Sequence, residues 1–256
     1  MTTKPSDTLI TMNNPDSVAA EAFRILRTNI SLRDFDAKIK TINVISTQAH
    51  ESKSTVILNL AYAFSQLDKR VLVIDLDLRA PTLHKKLKIK NNVGISDFIS
   101  RRATFEEILI KYTDRFDVIL SGTKNPYASE FIQSNSFKKV LNKLRDTYDL
   151  VLIDCPPVGL VTDGVITSTL CDGTILCVGY NTNDKKDLEG CRDLLKQFDV
   201  NILGIVMTQM PGGKRYGKYG KYGKYGNYGN YGSYGAYGSE EKTKKKKKGK
   251  KALNND

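Results

Sequence analysis

The sequence predicts an α/β domain built on a mostly parallel sheet with helices on both faces. Short β-branched apolar runs alternate along the chain with segments whose apolar residues recur at helical spacing. The run at residues 71–75 is apolar on both faces, as a buried parallel strand requires. A length of 256 residues is enough for one such domain and a tail, but not for two full domains.

Six apolar runs are predicted to be strands, at residues 41–46, 71–75, 116–120, 150–154, 173–178 and 202–208. Helices are predicted at residues 17–33, where Ser17 is the expected N-cap, and at 54–67, 130–147 and 186–198. Strands joined by helical crossovers form one parallel sheet. Ligands of such sheets bind at the carboxyl ends of the strands.

The end of the chain is a repeat of tyrosine, glycine and lysine. A Tyr-Gly pair occurs at every third position from Tyr216 to Tyr237, so that eight of the 13 tyrosines lie there, and a lysine run follows at residues 244–248. Such a segment cannot bury enough apolar surface to offset its ordering entropy, so it is predicted to be disordered. Evenly spaced tyrosines without a fold to stabilise indicate a substrate.

The net charge of +12 is concentrated in this tail. Residues 211–256 contain 13 Lys and Arg against 3 Asp and Glu, whereas residues 1–210 contain 27 against 25. Because the predicted domain is nearly neutral, it is not expected to bind nucleic acid.

Nothing in the sequence predicts a membrane span or a disulfide framework. No apolar run approaches the roughly 20 residues that cross a bilayer, and the N-terminus lacks an apolar signal region. The four cysteines form no CxxC pair and are expected to be reduced thiols. A soluble cytoplasmic protein is expected.

A candidate phosphate-binding loop joins the first strand to the next helix. Backbone N–H groups and the helix dipole face an anion at this position, and Lys53 is placed to reach β- and γ-phosphates. The hydroxyl of Ser54 is the expected magnesium ligand. The residues expected to bind the nucleotide are Gln48, Ala49, His50, Glu51, Ser52, Lys53, Ser54 and Thr55.

This loop departs from the pattern G-x-x-x-x-G-K-[ST]. Thr47 and Ser52 occupy the two glycine positions. Ser52 is expected to adopt a positive φ or to allow close approach of a phosphate, both of which glycine does easily. A non-glycine residue in that region costs on the order of 1–2 kcal/mol, which predicts nucleotide affinity weakened about tenfold or more.

Three aspartates follow strands of the predicted sheet. Asp75 and Asp77 end the second strand, and Asp154 ends the fourth. A magnesium-phosphate site needs carboxylates opposite the phosphate loop, and the remaining aspartate can accept the proton of an attacking hydroxyl. Ser54, Asp77 and Asp154 are the expected metal ligands, while Asp75 and Asp77 share metal contact and activation of the hydroxyl. The alternative is that these aspartates are ordinary turn residues.

These motifs resemble those of the bacterial tyrosine autokinases (BY-kinases) of capsule and exopolysaccharide synthesis, in the cytoplasmic form found in Gram-positive bacteria. Residues 75–81 match the second nucleotide motif of that family, residues 150–157 match the third, and the family also ends in a tyrosine cluster. The resemblance implies a P-loop NTPase-type fold, ATP and Mg²⁺, and catalytic roles for Lys53, Asp75, Asp77 and Asp154.

The same resemblance implies three parts of the chain and an acceptor set. Residues 1–40 would be an oligomerisation segment packed on a kinase domain at 41–210, followed by the tail at 211–256. Glu21, Arg24 and Arg27 match an ExxRxxR motif of ring-like assembly, although this spacing also fits a solvated helix face. The implied phosphoacceptors are Tyr216, Tyr219, Tyr222, Tyr225, Tyr228, Tyr231, Tyr234 and Tyr237.

Two further departures and the partners follow from the resemblance. His50 and Ser52 stand where the family has glycines, and Thr208 stands where relatives often carry an asparagine that faces adenine. The implied partners are a transmembrane activator, further copies of the chain and a tyrosine phosphatase. Recruitment to the inner face of the cell membrane is expected.

The predicted function is trans autophosphorylation of the tail, regulating capsular or exopolysaccharide synthesis and export. One alternative is a catalytically weakened scaffold of the same machinery, suggested by the altered loop. Another is a partition- or septum-positioning-type ATPase, which would carry a second lysine at the position of Gln48 and no tyrosine tail. An RNA-binding protein would need a basic folded surface.

Overall fold

The computed structural model describes residues 6–34, 36, 38–182 and 184–211. The tyrosine repeat and the lysine run lie outside these residues, so the prediction that they are disordered concerns a part of the chain that the structure does not describe. Seven strands occur in the described part of the chain. They are β1 (Thr41–Ser46), β2 (Val71–Asp75), β3 (Leu109–Lys111), β4 (Phe116–Ile119), β5 (Leu150–Asp154), β6 (Gly173–Gly179) and β7 (Ile202–Thr208).

The strands form one sheet in the order β3-β4-β2-β5-β1-β6-β7. Every neighbouring pair is parallel except β3 with β4, which is antiparallel. All six predicted strands are present, which confirms the predicted mostly parallel sheet. The sequence did not predict β3, because a three-residue edge strand is too short to show an alternating pattern.

Ten helices cover the sheet within the described residues. They are α1 (Ile10–Asn13), α2 (Val18–Arg33), α3 (Lys53–Ser65), α4 (Leu83–Leu87), α5 (Ile95–Ile99), α6 (Phe105–Ile108), α7 (Ala128–Gln133), α8 (Asn135–Thr147), α9 (Asp163–Leu170) and α10 (Lys185–Gln197).

The prediction of a single helix at 130–147 is wrong, because the chain breaks at Ser134. This residue has an extended backbone (ψ 145°), and its hydroxyl accepts a hydrogen bond from the Phe137 N–H at 3.2 Å. Serine favours this N-cap arrangement over a helix interior, so α7 ends and α8 begins there.

The central strands are buried on both faces. Alternate residues of β2 enter different cores: Leu72 packs in a cluster with α7, α8, α9 and α10, whereas Val73 packs in one with α2, α3 and α4. This two-sided burial explains why the strand is an uninterrupted apolar run. The helices therefore lie on both faces of the sheet, as predicted.

The N-terminal segment packs on α3, the helix that begins at the phosphate loop. The Oδ1 atom of Asn59 accepts hydrogen bonds from the Thr11 N–H at 2.9 Å and from the Thr11 hydroxyl at 3.0 Å. Farther along, the Arg27 guanidinium donates to the Ala63 carbonyl at 2.9 Å.

Among the described residues, none of the helices has both the length and the apolar composition of a membrane span.

Candidate active site

Three strand ends bring the predicted site residues together. The order β2-β5-β1 makes β5 a neighbour of both other strands. Asp154 pairs in register with Asp75 on β2 and with Val44 on β1. The carboxyl ends of parallel strands meet at one edge, so Asp75 and Asp154 lie side by side there, and Ser46 follows two residues after Val44 on β1.

The loop between β1 and α3 has an unusual backbone. Ser52 is the N-cap of α3 in the left-handed region, with φ 63° and ψ 21°, which confirms the positive φ predicted for it. His50 also has φ 63°. The loop thus adopts, at two non-glycine positions, a conformation that glycine occupies without steric cost.

Lys53 folds back over this loop. Its Nζ atom lies 3.1 Å from the Ser46 hydroxyl oxygen, and that hydroxyl donates to the Gln48 carbonyl at 2.5 Å. Gln48, Ala49 and His50 are exposed, whereas Glu51 is buried. One side of the loop is therefore exposed to solvent, and the other side is buried against the sheet.

The strand-end carboxylates are buried. Asp75 and Asp154 are 0% and 3% exposed, and Asp75 Oδ2 and Asp154 Oδ1 have no hydrogen-bond partner among the described residues. Burial, and then the Asp154 and Asp77 carboxylates, raise the pKa of Asp75 well above its ordinary value. Burial also raises the pKa of Asp154 to about 6, although the Lys53 ammonium and the Ser54 hydroxyl act in the opposite direction.

This set of groups fits a magnesium ion that is shared with a nucleotide. Two buried, unpartnered carboxylate oxygens are satisfied by a proton or by a cation, and Mg²⁺ prefers oxygen ligands of this kind. The described residues contain no group of three or more His, Cys, Asp or Glu side chains arranged to hold a metal by themselves. Mg²⁺ commonly uses one or two protein carboxylates together with phosphate oxygens and water, so the scarcity of protein ligands agrees with that ion.

Hydroxyl groups at the start of α3 are placed by α4 and the loop before it. The Ser54 hydroxyl lies 3.2 Å from that of Thr82, and the Thr55 hydroxyl accepts from Lys86 Nζ at 3.0 Å. The positive charge of Lys86 also lowers the pKa of Asp154, as a minor contribution beside burial. Sequence reasoning missed Lys86, because a lysine in the run Lys85-Lys86 is typical of a solvated helix face.

The loop after β2 is held by a bidentate ion pair. Arg79 donates from Nε and Nη2 to the two carboxylate oxygens of Asp163, at 2.7 and 3.3 Å, and the side chain of Asp163 is fully buried. Within the loop, Asp77 N–H donates to Asp75 Oδ1 at 3.1 Å, and Asp77 Oδ1 accepts from Ala80 N–H at 2.9 Å. Asp163 was also missed, since no local motif links it to Arg79.

Thr208 contacts the phosphate loop. Its hydroxyl donates to the Glu51 carbonyl at 3.0 Å, and the next residue, Gln209, donates from Nε2 to the His50 carbonyl at 2.5 Å. The Thr208 hydroxyl is therefore hydrogen-bonded to the loop backbone.

The other predicted residues lie away from the strand ends. Glu21 and Arg24 form an ion pair of 2.6 Å on α2, and both are partly exposed. Arg24 also donates to the Pro15 carbonyl at 2.9 Å, while Arg27 contacts α3. The tyrosines of the repeat lie outside the described residues.

Comparison with known proteins shows that the chain is similar to an AAA-domain family and to tyrosine-protein kinases. Residues 39–201 match the family AAA_31, described as an AAA domain. The chain is 31% identical over 211 residues to the tyrosine-protein kinase YwqD of Bacillus subtilis (strain 168), covering 82% of this chain and 87% of that protein.

Solved structures, including that of a tyrosine-kinase domain, are also similar to this chain. The crystal structure of the chimerical protein CapA2B2 is similar at a TM-score of 0.76 and 32% identity, covering 80% of this chain and 91% of that one. The kinase domain of the Escherichia coli tyrosine kinase ETK has a TM-score of 0.75 and 26% identity, covering 83% and 84% of the two chains.

Proposed function

The chain belongs to the bacterial tyrosine-protein kinase family, and from this we propose that it is an ATP- and Mg²⁺-dependent kinase that phosphorylates its own C-terminal tail. One observation carries the proposal. A lysine-bearing loop at the start of a helix meets two buried carboxylates at the ends of neighbouring parallel strands, and each carboxylate keeps one oxygen without a hydrogen-bond partner among the described residues. Phosphoryl transfer consists largely of positioning and charge stabilisation, and this arrangement supplies both.

The loop and the start of α3 would hold the phosphates. Residues in the left-handed region next to right-handed ones direct successive N–H groups toward one point, which forms an anion-binding concavity. His50 and Ser52 have that conformation. Lys53 would release the Ser46 hydroxyl and contact the outer phosphates, since an anion is a stronger partner than a neutral hydroxyl.

Ser54 and Asp154 would hold Mg²⁺, with a contribution from Asp77. When bound, the ion neutralises charge on the phosphates and on the carboxylates around it. Asp77 is half-buried, whereas Asp75 is fully buried, so Asp77 is the carboxylate that an incoming phenol reaches. We assign to it acceptance of the phenolic proton, and to Asp75 the fixing of the Asp77 backbone through the bond at 3.1 Å.

The acceptors would be the eight tail tyrosines, presented by another copy of the chain. Each is followed by glycine, so neighbouring side chains do not hinder its entry to a site. The resemblance to capsule and exopolysaccharide kinases supports a role in regulating that synthesis and export, with a transmembrane activator and a tyrosine phosphatase as partners at the inner face of the membrane.

Phosphosite mapping of the purified full chain, incubated with MgATP, tests the proposal. We expect phosphate on residues between Tyr216 and Tyr237, and a loss of about 100-fold or more in Lys53→Met, because a charged donor to the transferring group is removed. The matched control is Lys143→Met, an exposed lysine on α8, which should phosphorylate normally.

A scaffold with a weakened loop is the second candidate, favoured by the left-handed conformation of His50 and Ser52. It predicts an unlabelled tail in the natural chain and strong labelling once His50→Gly and Ser52→Gly are introduced together. That pair of results would replace the kinase proposal with the scaffold.

A further inference from the structure

We propose that Glu51, Thr208 and Gln209 form a loop clamp, a set of positioning residues that holds the phosphate loop in its nucleotide-binding conformation without glycine. The inference rests on the proposed function, since it assigns the residues that prepare the loop for a nucleotide. The clamp joins the loop to the end of β6, which lies beside β1 in the sheet, and to the end of β7, which is the next strand after β6.

The loop has a backbone difficulty that the clamp addresses. His50 and Ser52 both have φ 63°, a region in which a Cβ atom is crowded by the neighbouring carbonyl oxygen. Glu51 lies between them, so each of the two peptide units that Glu51 helps to form also includes a strained residue. An L-residue stays in this region only when the surrounding structure holds it there.

Two side chains from the end of β7 hold the carbonyls of this segment. The Gln209 amide donates to the His50 carbonyl at 2.5 Å, and the Thr208 hydroxyl donates to the Glu51 carbonyl at 3.0 Å. These carbonyls belong to consecutive peptide units, one after His50 and the other before Ser52. Rotation of either unit toward an unstrained conformation would break a hydrogen bond.

The Glu51 side chain holds the same segment from the inside. Its carboxylate accepts from the Gln48 N–H at 2.9 Å and the Thr47 hydroxyl at 3.0 Å, both within the loop. The other oxygen accepts from the Gly179 N–H at 2.8 Å, at the last residue of β6. Glu51 is 1% exposed, and hydrogen bonds to a buried carboxylate are stronger than those between neutral groups.

The end of β7 is itself anchored. The Tyr180 N–H donates to the Thr208 carbonyl at 2.9 Å, which ties this strand end to the residue after β6. A donor on a fixed strand end can hold a loop that would otherwise relax. Loop amides that already converge in the free protein do not have to be ordered when the anion binds, so the clamp raises nucleotide affinity by pre-organisation.

The inference is tested by a double-mutant cycle between the clamp and the loop. Thr208→Val and Gln209→Leu keep side-chain size while removing both donors. In the natural loop, we expect this pair to weaken binding of MgATP, measured by calorimetry, about tenfold, which is about 1.4 kcal/mol. In a loop carrying His50→Gly and Ser52→Gly, the same pair should weaken binding less than twofold, because glycine needs no help to adopt a positive φ.

Two comparisons separate this role from a general loss of structure. Met207→Leu, on the same strand and exposed, should leave binding unchanged in both backgrounds. Gln209→Leu alone changes an exposed side chain and should lower affinity without lowering the thermal midpoint. An equal loss of affinity in both loop backgrounds, or no loss in either, would overturn the clamp.

If the natural chain binds no MgATP, that result counts against the proposed function and not against the clamp. The clamp is then tested by a measurement that needs no nucleotide. Amide hydrogen exchange of residues 47–54 should accelerate about tenfold in the Thr208→Val, Gln209→Leu chain, because the loop opens more often. Unchanged exchange in that segment would show that these residues do not hold it.

Discussion

At the scale of single residues, the side chains of Asp75 and Asp154 lower the stability of the folded protein. Both are buried on paired strands, and each keeps an oxygen without a hydrogen-bond partner among the described residues. Burial raises the pKa of both carboxyls, so a proton or a cation is needed to relieve the site. Such strain is typical of functional sites.

Replacing Asp75 with asparagine should therefore stabilise the nucleotide-free protein while impairing function. The amide keeps the oxygen that accepts from Asp77 N–H and removes a buried acid. We expect a higher free energy of unfolding at pH 7.5, because an uncompensated buried acid is costly, and a rise in Tm on the order of 2–4 °C, which is what about 1 kcal/mol produces in a domain of this size. Thermal unfolding without nucleotide measures it.

Asp77→Asn is the matched comparison, because its half-buried side chain loses less hydration. It should change the thermal midpoint much less than Asp75→Asn does. A nucleotide-free Asp75→Asn protein that melts below the natural chain would contradict the interpretation that this carboxyl is strained.

At the scale of secondary-structure elements, the buried carboxylate of Asp97 has a pKa shifted in the opposite direction from those of Asp75 and Asp154. Burial by itself would raise the pKa of Asp97, at the start of α5, but hydrogen bonds from Thr123, Arg102 and the Gly94 N–H outweigh it and hold the pKa below its ordinary value. The Thr123 hydroxyl is 2.7 Å from Asp97 Oδ1, and its N–H is 3.0 Å from Oδ2. This carboxylate thus joins α5 to the segment after β4.

A pKa lowered in the folded state contributes stability above the unfolded value of 3.8 and loses it as pH falls through the folded value. Asp97→Asn should therefore cost about 2 kcal/mol between pH 5 and 8, and the difference from the natural chain should shrink below pH 4. Denaturant unfolding across that range measures it.

Asp193→Asn is the control, since its carboxylate pairs with Arg192 on the exposed surface of α10. Its effect should be small at every pH. If the penalty of Asp97→Asn persisted unchanged at pH 3, the charged form of Asp97 would not be what stabilises this region.

On the scale of the whole molecule, the distribution of charge suggests how phosphorylation acts. The tail at residues 211–256 has a net charge of +10, whereas residues 1–210 have +2. Each phosphotyrosine adds about −1.5 to −2, so eight would add roughly −12 to −16 and reverse the sign of the tail. A basic tail that docks on a neighbouring copy would then be repelled.

We expect multisite phosphorylation to loosen an assembly that unphosphorylated tails hold together in trans. Light scattering before and after incubation with MgATP should show a fall in assembly mass, reversed by a tyrosine phosphatase. A chain with all eight tail tyrosines changed to phenylalanine should keep its mass throughout. An unchanged mass in the natural, fully phosphorylated chain would rule out this mechanism.

The helix α2, with its partly exposed Glu21–Arg24 ion pair, is either a solvated surface or a contact between copies of the chain. Measurement of assembly mass distinguishes the two. The pair is satisfied within one chain, as on a solvated helix face. If the ExxRxxR segment nevertheless mediates assembly, Glu21→Ala with Arg24→Ala should lower the starting mass before any phosphate is added.

Much of this protein was determined by local sequence alone. The six main strands, the loop before Lys53, the positive φ of Ser52 and the aspartates at strand ends were all predicted, because strand periodicity, helix N-termini and glycine positions are properties of neighbouring residues. The break of the 130–147 helix at Ser134 was not predicted, since its apolar spacing continues across the capping serine.

The tertiary structure alone decided which strands are neighbours and which distant side chains complete the site. The order β2-β5-β1 places Asp75 beside Asp154. Asp163 holds Arg79 from 84 positions away, and Thr208 holds Glu51 from 157. Hydrogen bonds of this kind leave no periodic trace in the sequence, because they depend on the packing of separate elements into one sheet.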